Sequence, residues 1–493
     1  MSVGTAAFAD ADSAVLPEGW ALTHIGHVCE INPVKPASDA LNASTPVTFV
    51  PMPAVDAKEG AITEPQVKAF ADVRKGFTSF RNNDVIMAKI TPCMENGKSA
   101  IARNLTNGLG FGSTEFHVLR PTDAVLPEFV HNFIRQESYR RAAESEMTGS
   151  VGQKRVPESF LELTELPLPP LAEQVRIVKK VTALLDVVKN SCERLSEVPL
   201  IMRRFRQMVL AAACSGRLTV DWRETNLDKL TPIPRSPDEI WTDLPECWGG
   251  LPVENLCSHV VDCPHSTPKW TSAGVICLRT TNFRPGFLDL SEVRFVSEST
   301  YKERVIRLQP QAGDVLYSRE GGILGIACMI PPDVRLCLGQ RMMLMRTNPE
   351  LCISAFLMHV LNSPTILARV RELTGGSASP HLNVSEIKAF QIPLPSLSEQ
   401  RVIVRRVAAL LSLADAIERR TAIASELADK LISSILGKSF RGELVPTEAE
   451  VARREGREYE PASVLLERIR AIRASDTKTP VPKRKLRNAS AHV

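Results

Sequence analysis

The sequence has no apolar run of the roughly 18–20 residues that a membrane span requires. Its first residues, with Asp10 and Asp12, lack the charged-then-apolar order of a secretory signal, so a cytoplasmic protein is expected. The 11 cysteines are odd in number, scattered, and contain no Cys-x-x-Cys pair, which argues against a disulfide frame and for reduced thiols. There is no Gly-x-Gly-x-x-Gly, no Asn-Pro-Pro-aromatic and no His-Glu-x-x-His, so dinucleotide binding, adenine methylation and zinc-dependent hydrolysis have no visible motif in this chain. The net charge of only +4 permits nucleic-acid binding without arguing for it, because what matters is where the basic residues cluster.

What the chain does have is length and repetition. Its 493 residues are too many for one core and predict three or four structural units, and 44% hydrophobic content is ordinary for a globular protein. Pro167-Leu168-Pro169-Pro170-Leu171-Ala172-Glu173-Gln174 recurs as Pro393-Leu394-Pro395-Ser396-Leu397-Ser398-Glu399-Gln400, and at this offset of 226 the stretch from Pro167 to Asn190 keeps 12 identities in 24 positions. Gly216 and Leu218 match Gly442 and Leu444, and Thr148-Gly149 matches Thr374-Gly375. Leu16-Pro17-Glu18-Gly19-Trp20 recurs as Leu244-Pro245-Glu246-Cys247-Trp248. Between these markers the copies diverge, which reads as a duplicated frame carrying two different inserts.

Each insert shows short β-rich runs separated by Pro, Gly and Asn. In the first these are Val47–Val50, Asp84–Ala88 and Glu115–Leu119, with a helix near Glu128–Glu146; in the second, Val275–Leu278, Asp314–Tyr317 and Met342–Met345, with a helix near Ser354–Leu373. After each insert the period changes to 3–4: Val178, Val181, Leu185, Val188, Cys192, Leu195, Met202, Phe205 and Val209, then Val407, Leu411, Ala414, Ile417, Leu427, Leu431 and Ile435. Pro199 predicts a kink or restart near Ser196, and Cys214-Ser215-Gly216 a stop; the second helix should run from Glu399 to about Leu436.

The predicted fold is α+β: two mixed, mostly β globular domains separated by two long antiparallel coiled-coil regions, duplicated about a pseudo-two-fold. The expected divisions are a disordered leader 1–15, a first domain 16–168, helical spacer 169–225, linker 226–243 with Pro232, Pro234 and Pro237, a second domain 244–394, spacer 395–445, and a charged tail 446–493. That tail should hold a short helix at Ala462–Arg473 and a basic end, Lys483–Arg487. Two different heads on an approximate dyad suit duplex DNA, whose half-sites mirror protein symmetry. A two-headed coiled-coil scaffold that binds only proteins fits the same geometry.

Several motifs are set aside on spacing. Asn96-Gly97-Lys98-Ser99 imitates the end of a phosphate loop, but the earlier glycine falls at Pro92. Cys257, His259, Cys263 and His265 match no common zinc spacing, so no metal is expected. Glu386-Ile387-Lys388 lacks the upstream Asp of a nuclease metal site.

Taken as a set, the two Pro-Leu-Pro-x-Leu-x-Glu-Gln starts, Arg204-Phe205-Arg206-Gln207, Leu210–Leu218 and Arg441-Gly442-Glu443-Leu444-Val445-Pro446 resemble the DNA-specificity subunits of type I restriction-modification systems, as do Asp84–Lys98, Met147–Pro157 and Gly375–Ser385. The resemblance spans Leu16 to Arg473. It implies a non-catalytic subunit that binds a bipartite, asymmetric double-stranded DNA target, one half per head, with the helices fixing the unread gap. It also implies docking of two modification subunits, which bind S-adenosylmethionine and methylate adenine, and two restriction subunits, which use ATP and Mg2+. No cofactor is expected on this chain itself.

Under that reading the loop residues Lys89, Thr91, Asn96, Lys98, Gln153, Lys154 and Arg155 in the first head are candidate DNA contacts. In the second they are Lys269, Arg279, Thr280, Asn282, Arg284, Arg319, Gln340, Arg341 and His381. Arg and Lys suit guanine, Asn and Gln suit adenine, and phosphates accept from any of them. Asp84–Lys89 resembles Asp314–Arg319, so Lys89 and Arg319 should hold equivalent places. The pairs Lys179-Lys180 and Arg405-Arg406 recur at matched positions and are candidates for docking two identical partners; solvated helix faces are the plain alternative.

Overall fold

Each Pro-Leu-Pro segment starts a helix of 44 residues, Leu171–Cys214 and Leu397–Phe440. The structure is a computed structural model that describes residues 16–36, 41–150, 152–226, 240–241, 243–375 and 380–476. The expected leader, most of the linker with its three prolines, and the basic end therefore lie outside the described residues. The chain divides through the middle of both long helices into two units, one of residues up to Arg194 plus those from Ala424 onward, the other Leu195–Ile423.

Within the first unit, the opening turns of the first helix pack Ile177, Val181 and Val188 against Ala428, Ile435, Leu436 and Phe440 from the closing turns of the second. Within the second unit the roles exchange, and Val209, Leu210 and Ala213 share a core with Ile403 and Val407. Each unit thus pairs the start of one helix with the end of the other, an antiparallel arrangement that buries both apolar stripes.

Three details differ from the periodicity. The first helix continues as one element through Pro199 and does not restart near Ser196. Pro199 sits among exposed residues, where water can take the carbonyl that proline leaves without a donor. Leu427 and Leu431 lie outside the seam at 53% and 52% exposure, because Ala428 and Ile432, one position on in each case, face the partner helix, while Ile435 is buried as the spacing predicts. Each head also carries two short helices where one was expected, Pro127–Ile134 with Glu137–Ser145, and Ser354–Leu361 with Pro364–Thr374. In the second head the break falls at Ser363, whose hydroxyl caps the next helix ahead of Pro364.

The two inserts, so different in sequence, share a sheet plan. The first unit orders Cys29–Ile31, Phe116–Pro121, Val85–Ala88 and Ser99–Ile101 as one antiparallel four-stranded sheet; the second repeats it with Cys257–Asp262, Met342–Thr347, Val315–Ser318 and Ala327–Met329. A second sheet in each contains one parallel pair, Pro46–Val50 with Leu109–Gly112 and Val275–Leu278 with Leu336–Leu338. The same ion pair closes both plans. Arg120 grips Asp84 through Nε and Nη2 at 2.9 and 2.8 Å, and Arg346 grips Asp314 at 2.8 and 2.8 Å.

The frame is tied by buried polar groups at the helix starts. Trp20 Nε1 donates to Glu173 at 2.9 Å, and Trp248 Nε1 donates to Glu399 at 2.9 Å, with both carboxylates fully buried. The second oxygen of Glu173 accepts from the Glu448 N–H at 2.7 Å, whereas Glu399 accepts from Thr219 and Arg223, both at 2.6 Å. Beside them, Gln174 bridges the Leu126 N–H and the Ala124 carbonyl, and Gln400 bridges the Ile353 N–H and the Leu351 carbonyl. Past the helix ends, Gly442 at φ +73° lies against Pro17, and Gly216 at φ +76° against Pro245; an added Cβ would come within 2.4 and 2.5 Å of the proline rings. The charged tail is more than a tail, because the helix Ala462–Asp476 sends Ala462, Leu465, Leu466 and Ile469 into the first unit's core.

Replacing Glu173 with Ala strands the Trp20 and Glu448 N–H groups away from water, and should lower the first unit's stability by about 2–4 kcal/mol in denaturant unfolding. A loss under about 0.5 kcal/mol would show that the tie carries no weight. Burial holds His131 down to about 3 and His359 down to about 4. Both stay neutral in the fold while the unfolded chain takes up protons below about 6.5. Stability should therefore be intact above pH 6.5 and fall as pH drops toward 4, by up to about 1.4 kcal/mol per pH unit for each histidine. His359→Gln should flatten that slope for the second unit, as read from unfolding midpoints against pH.

Candidate nucleic-acid interface

In each head the candidate loops are built on one backbone cradle. The hairpin leaving Val85–Ala88 turns at Lys89, whose N–H donates to the Glu115 carbonyl at 2.9 Å and whose carbonyl accepts from the Val156 N–H at 2.9 Å. In the second head Arg319 donates to the Arg341 carbonyl at 3.0 Å and accepts from the Leu382 N–H at 2.9 Å. Ile90 bridges to Arg155 as Glu320 bridges to His381. Lys89 and Arg319 therefore hold equivalent backbone places, and the second loop of each head, 152–156 or 380–382, lies directly across the hairpin.

The side chains on that cradle differ. In the first head Asn96, Gln153 and Lys154 are exposed, and Lys89 and Thr91 are half-buried, with the Thr91 hydroxyl lacking a hydrogen-bond partner among the described residues. Lys98 turns inward to the Met52 carbonyl at 3.1 Å. Arg155 forms a two-bond pair with Glu115, Nε to Oε2 at 2.9 Å and Nη2 to Oε1 at 2.8 Å. That guanidinium holds the Glu115 carboxyl below the usual carboxylate range.

In the second head Arg319 is buried, with Nε 2.9 Å from Asp262 and Nη1 2.7 Å from Glu320. Arg341 is exposed, sits at φ +68°, and points Nε to Glu320 at 3.9 Å. Gln340 donates to the His265 carbonyl at 2.5 Å, and His265 Nε2 lies 3.0 Å from Asp262. Arg319, Gln340, Arg341 and His381 thus converge.

Other candidates sit apart from that centre. Asn282 is buried and holds its own turn, accepting from the Arg279 N–H and donating to the Asp289 and Glu292 carbonyls. Arg284 pairs with Asp289 at 2.8 Å, the Arg279 Nε is buried, Thr280 is half-buried, and Lys269 is exposed. Arg279, Thr280 and Asn282 lie on the turn that follows Val275–Leu278, Arg284 in the short strand beyond it, and Lys269 just ahead of Trp270, all away from the hairpin. Residues 376–379 of the Gly375–Ser385 segment lie outside the described residues.

The acids were not visible in the sequence reading. Glu115, Asp262 and Glu320 stand among the bases of these clusters, and the available signal was adjacency, since Glu320 follows Arg319 and Glu115 begins a predicted strand. On the helices Lys179, Lys180 and Arg405 are exposed, but Arg406 is bound to Asp221 at 2.6 Å and to the Leu218 carbonyl at 2.7 Å. The four matched positions are thus alike in place and unlike in state.

Cys263 and His265, half of the rejected zinc pattern, engage the Met342 N–H and Asp262 instead. Among the described residues no group of three His, Cys, Asp or Glu is placed to hold a metal ion, and no helix is long and apolar enough to cross a membrane.

Comparison with known proteins agrees with this geometry. The family model described as the type I restriction modification DNA specificity domain matches residues 17–199 and 296–425. The specificity subunit of the type I restriction enzyme EcoAI of Escherichia coli is 41% identical over 183 residues, 37% of this chain and 30% of that protein, so the chain spans about a third of that relative's length. The EcoBI specificity subunit of Escherichia coli is 33% identical over 339 residues, covering 66% of this chain and 68% of the relative. In fold, the HsdS subunit from Thermoanaerobacter tengcongensis aligns with 87% of this chain and 98% of its own at a TM-score of 0.59 and 23% identity. A family model that covers both repeats, together with a relative of which two thirds is matched, shows that the chain belongs to the type I restriction-modification DNA specificity family.

Proposed function

We propose that this chain is the address-reading subunit of a cytoplasmic type I restriction-modification complex. Each head binds one half of a bipartite, asymmetric duplex target. The chain carries no catalysis of its own. Two modification subunits, with S-adenosylmethionine, and two restriction subunits, with ATP and Mg2+, supply the chemistry, and they dock on the frame that the repeats share. The exposed Lys179, Lys180 and Arg405 belong to that docking face, while Arg406 serves the internal contact with Asp221.

The observation that carries this reading is the pairing of one backbone cradle with two side-chain sets. Lys89 and Arg319 occupy the same hydrogen-bonded place, yet the surrounding groups are Thr91, Lys154, Arg155 and Glu115 in one head and Asp262, Glu320, Arg341 and His381 in the other. A scaffold held constant beneath variable polar loops is what reading two unlike half-sites requires, since phosphates fix register and base edges supply sequence.

The test is to bind the full chain, with a modification subunit of the same system, to a random duplex library at moderate salt and to sequence what is retained. A two-part motif with a fixed gap and an adenine in each half is expected. Lys89→Ala should weaken binding through the first half. Retention without a motif, or only a salt-sensitive background, would favour a scaffold that binds proteins instead.

A further inference from the structure

Arg155 is better placed than any other base in the first head to read one particular nucleotide. Its main chain is fixed on two sides, exchanging N–H···O bonds with Thr148 at 2.8 and 3.0 Å and bridging to Ile90. Its side chain is held flat by the two bonds to Glu115, and Nη1 donates to the Gln153 carbonyl at 3.1 Å. A guanidinium has five N–H donors. Among the described residues those three bonds leave one donor on each terminal nitrogen, on a side chain that is still 42% exposed.

Two adjacent donors in one fixed plane match the O6 and N7 acceptors that guanine shows in the major groove. The carboxylate does two further things. It cancels the charge that would otherwise draw the arginine to any phosphate, and it removes the rotamer freedom that binding would have to freeze.

We propose that Arg155 reads a guanine edge in the half-site bound by the first head, and that Glu115 is the positioning residue that sets its plane. This rests on the DNA-reading function argued above. The second head sets a looser ion pair at exchanged positions: the strand-start place of Glu115 is taken by Arg341, whose Nε stands 3.9 Å from Glu320 on the hairpin, without the two hydrogen bonds that hold Arg155. Arg341 is the corresponding exposed reader there.

The experiment compares the motifs that full-length wild type, Arg155→Lys, Arg155→Ala, Glu115→Gln and Arg341→Lys select from the same duplex library, each variant first checked for unchanged thermal unfolding. The Lys variant keeps the charge and loses the fork, so it decides the matter if the Ala variant does not fold. Arg155→Lys should lose about ten-fold or more of the preference for guanine at one position of one half-site, with every other position unchanged. Glu115→Gln should relax the same position while keeping or raising affinity for random duplex, an effect that a purely structural role for Glu115 would not produce. Arg341→Lys should relax one position in the other half-site only.

An unchanged motif in Arg155→Lys overturns the assignment. So does uniform weakening across all sequences with a shallower salt dependence, the mark of a phosphate contact. Glu115→Gln behaving as wild type removes its positioning role. A wild-type chain that selects no motif would instead overturn the DNA-reading function itself, so the two failures are distinguishable.

Discussion

A buried carboxylate at the first turn of each long helix is the constraint on which the frame depends. Glu173 and Glu399 are fully enclosed, and an enclosed carboxylate is tolerable only if donors surround it. Each finds the indole N–H of the head that precedes its helix, together with donors from the segment that follows the end of the other long helix or its equivalent: Glu448 in one unit, Thr219 and Arg223 in the other. One group thereby joins three stretches of chain that are far apart in sequence. The helix N-terminus adds favourable partial positive charge, and burial acts in the opposite sense, pushing the Glu173 carboxyl upward.

On this frame the heads are variations of one plan. The Asp84–Arg120 and Asp314–Arg346 pairs pin the same two neighbouring strands, so the hairpins that leave those strands start from the same place and direction. Everything past that point is free to differ. The exchange of Glu115 for Arg341, and of Ile90 for Glu320, changes the charge pattern without altering the hydrogen bonds that hold the backbone. Rigid support beneath changeable tips is the arrangement expected where binding residues ride on loops.

Much of this was legible in the residues. The duplicated Pro-Leu-Pro starts, the 3–4 spacing and the short β-rich runs gave the helices, the strands and the α+β class, because those signals are local. The equivalence of Lys89 and Arg319 was legible too, since a segment that opens with Asp-hydrophobic-hydrophobic precedes each at the same spacing. Where periodicity failed, it failed on facing: Ile435 is buried as the spacing predicts, but the crossing of two helices turned Ala428 and Ile432 inward in place of Leu427 and Leu431. The helix does not restart at Pro199, although local propensity allowed it, because propensity ignores the packing on either side.

By itself the sequence determined the repeat, the element types and the presence of polar loops at matched places, since each depends on neighbours along the chain. Tertiary structure alone decided which polar residues remain available at those loops. Arg319 looked as free as Lys89 in the sequence, yet it is enclosed by Asp262 and Glu320, and Asn282 is taken up in its own turn. Arg155 gained its fixed plane from Glu115, a residue 40 positions away. Charge pairing acts through space over a few ångströms, and no pattern along the chain records which acid will stand beside which base.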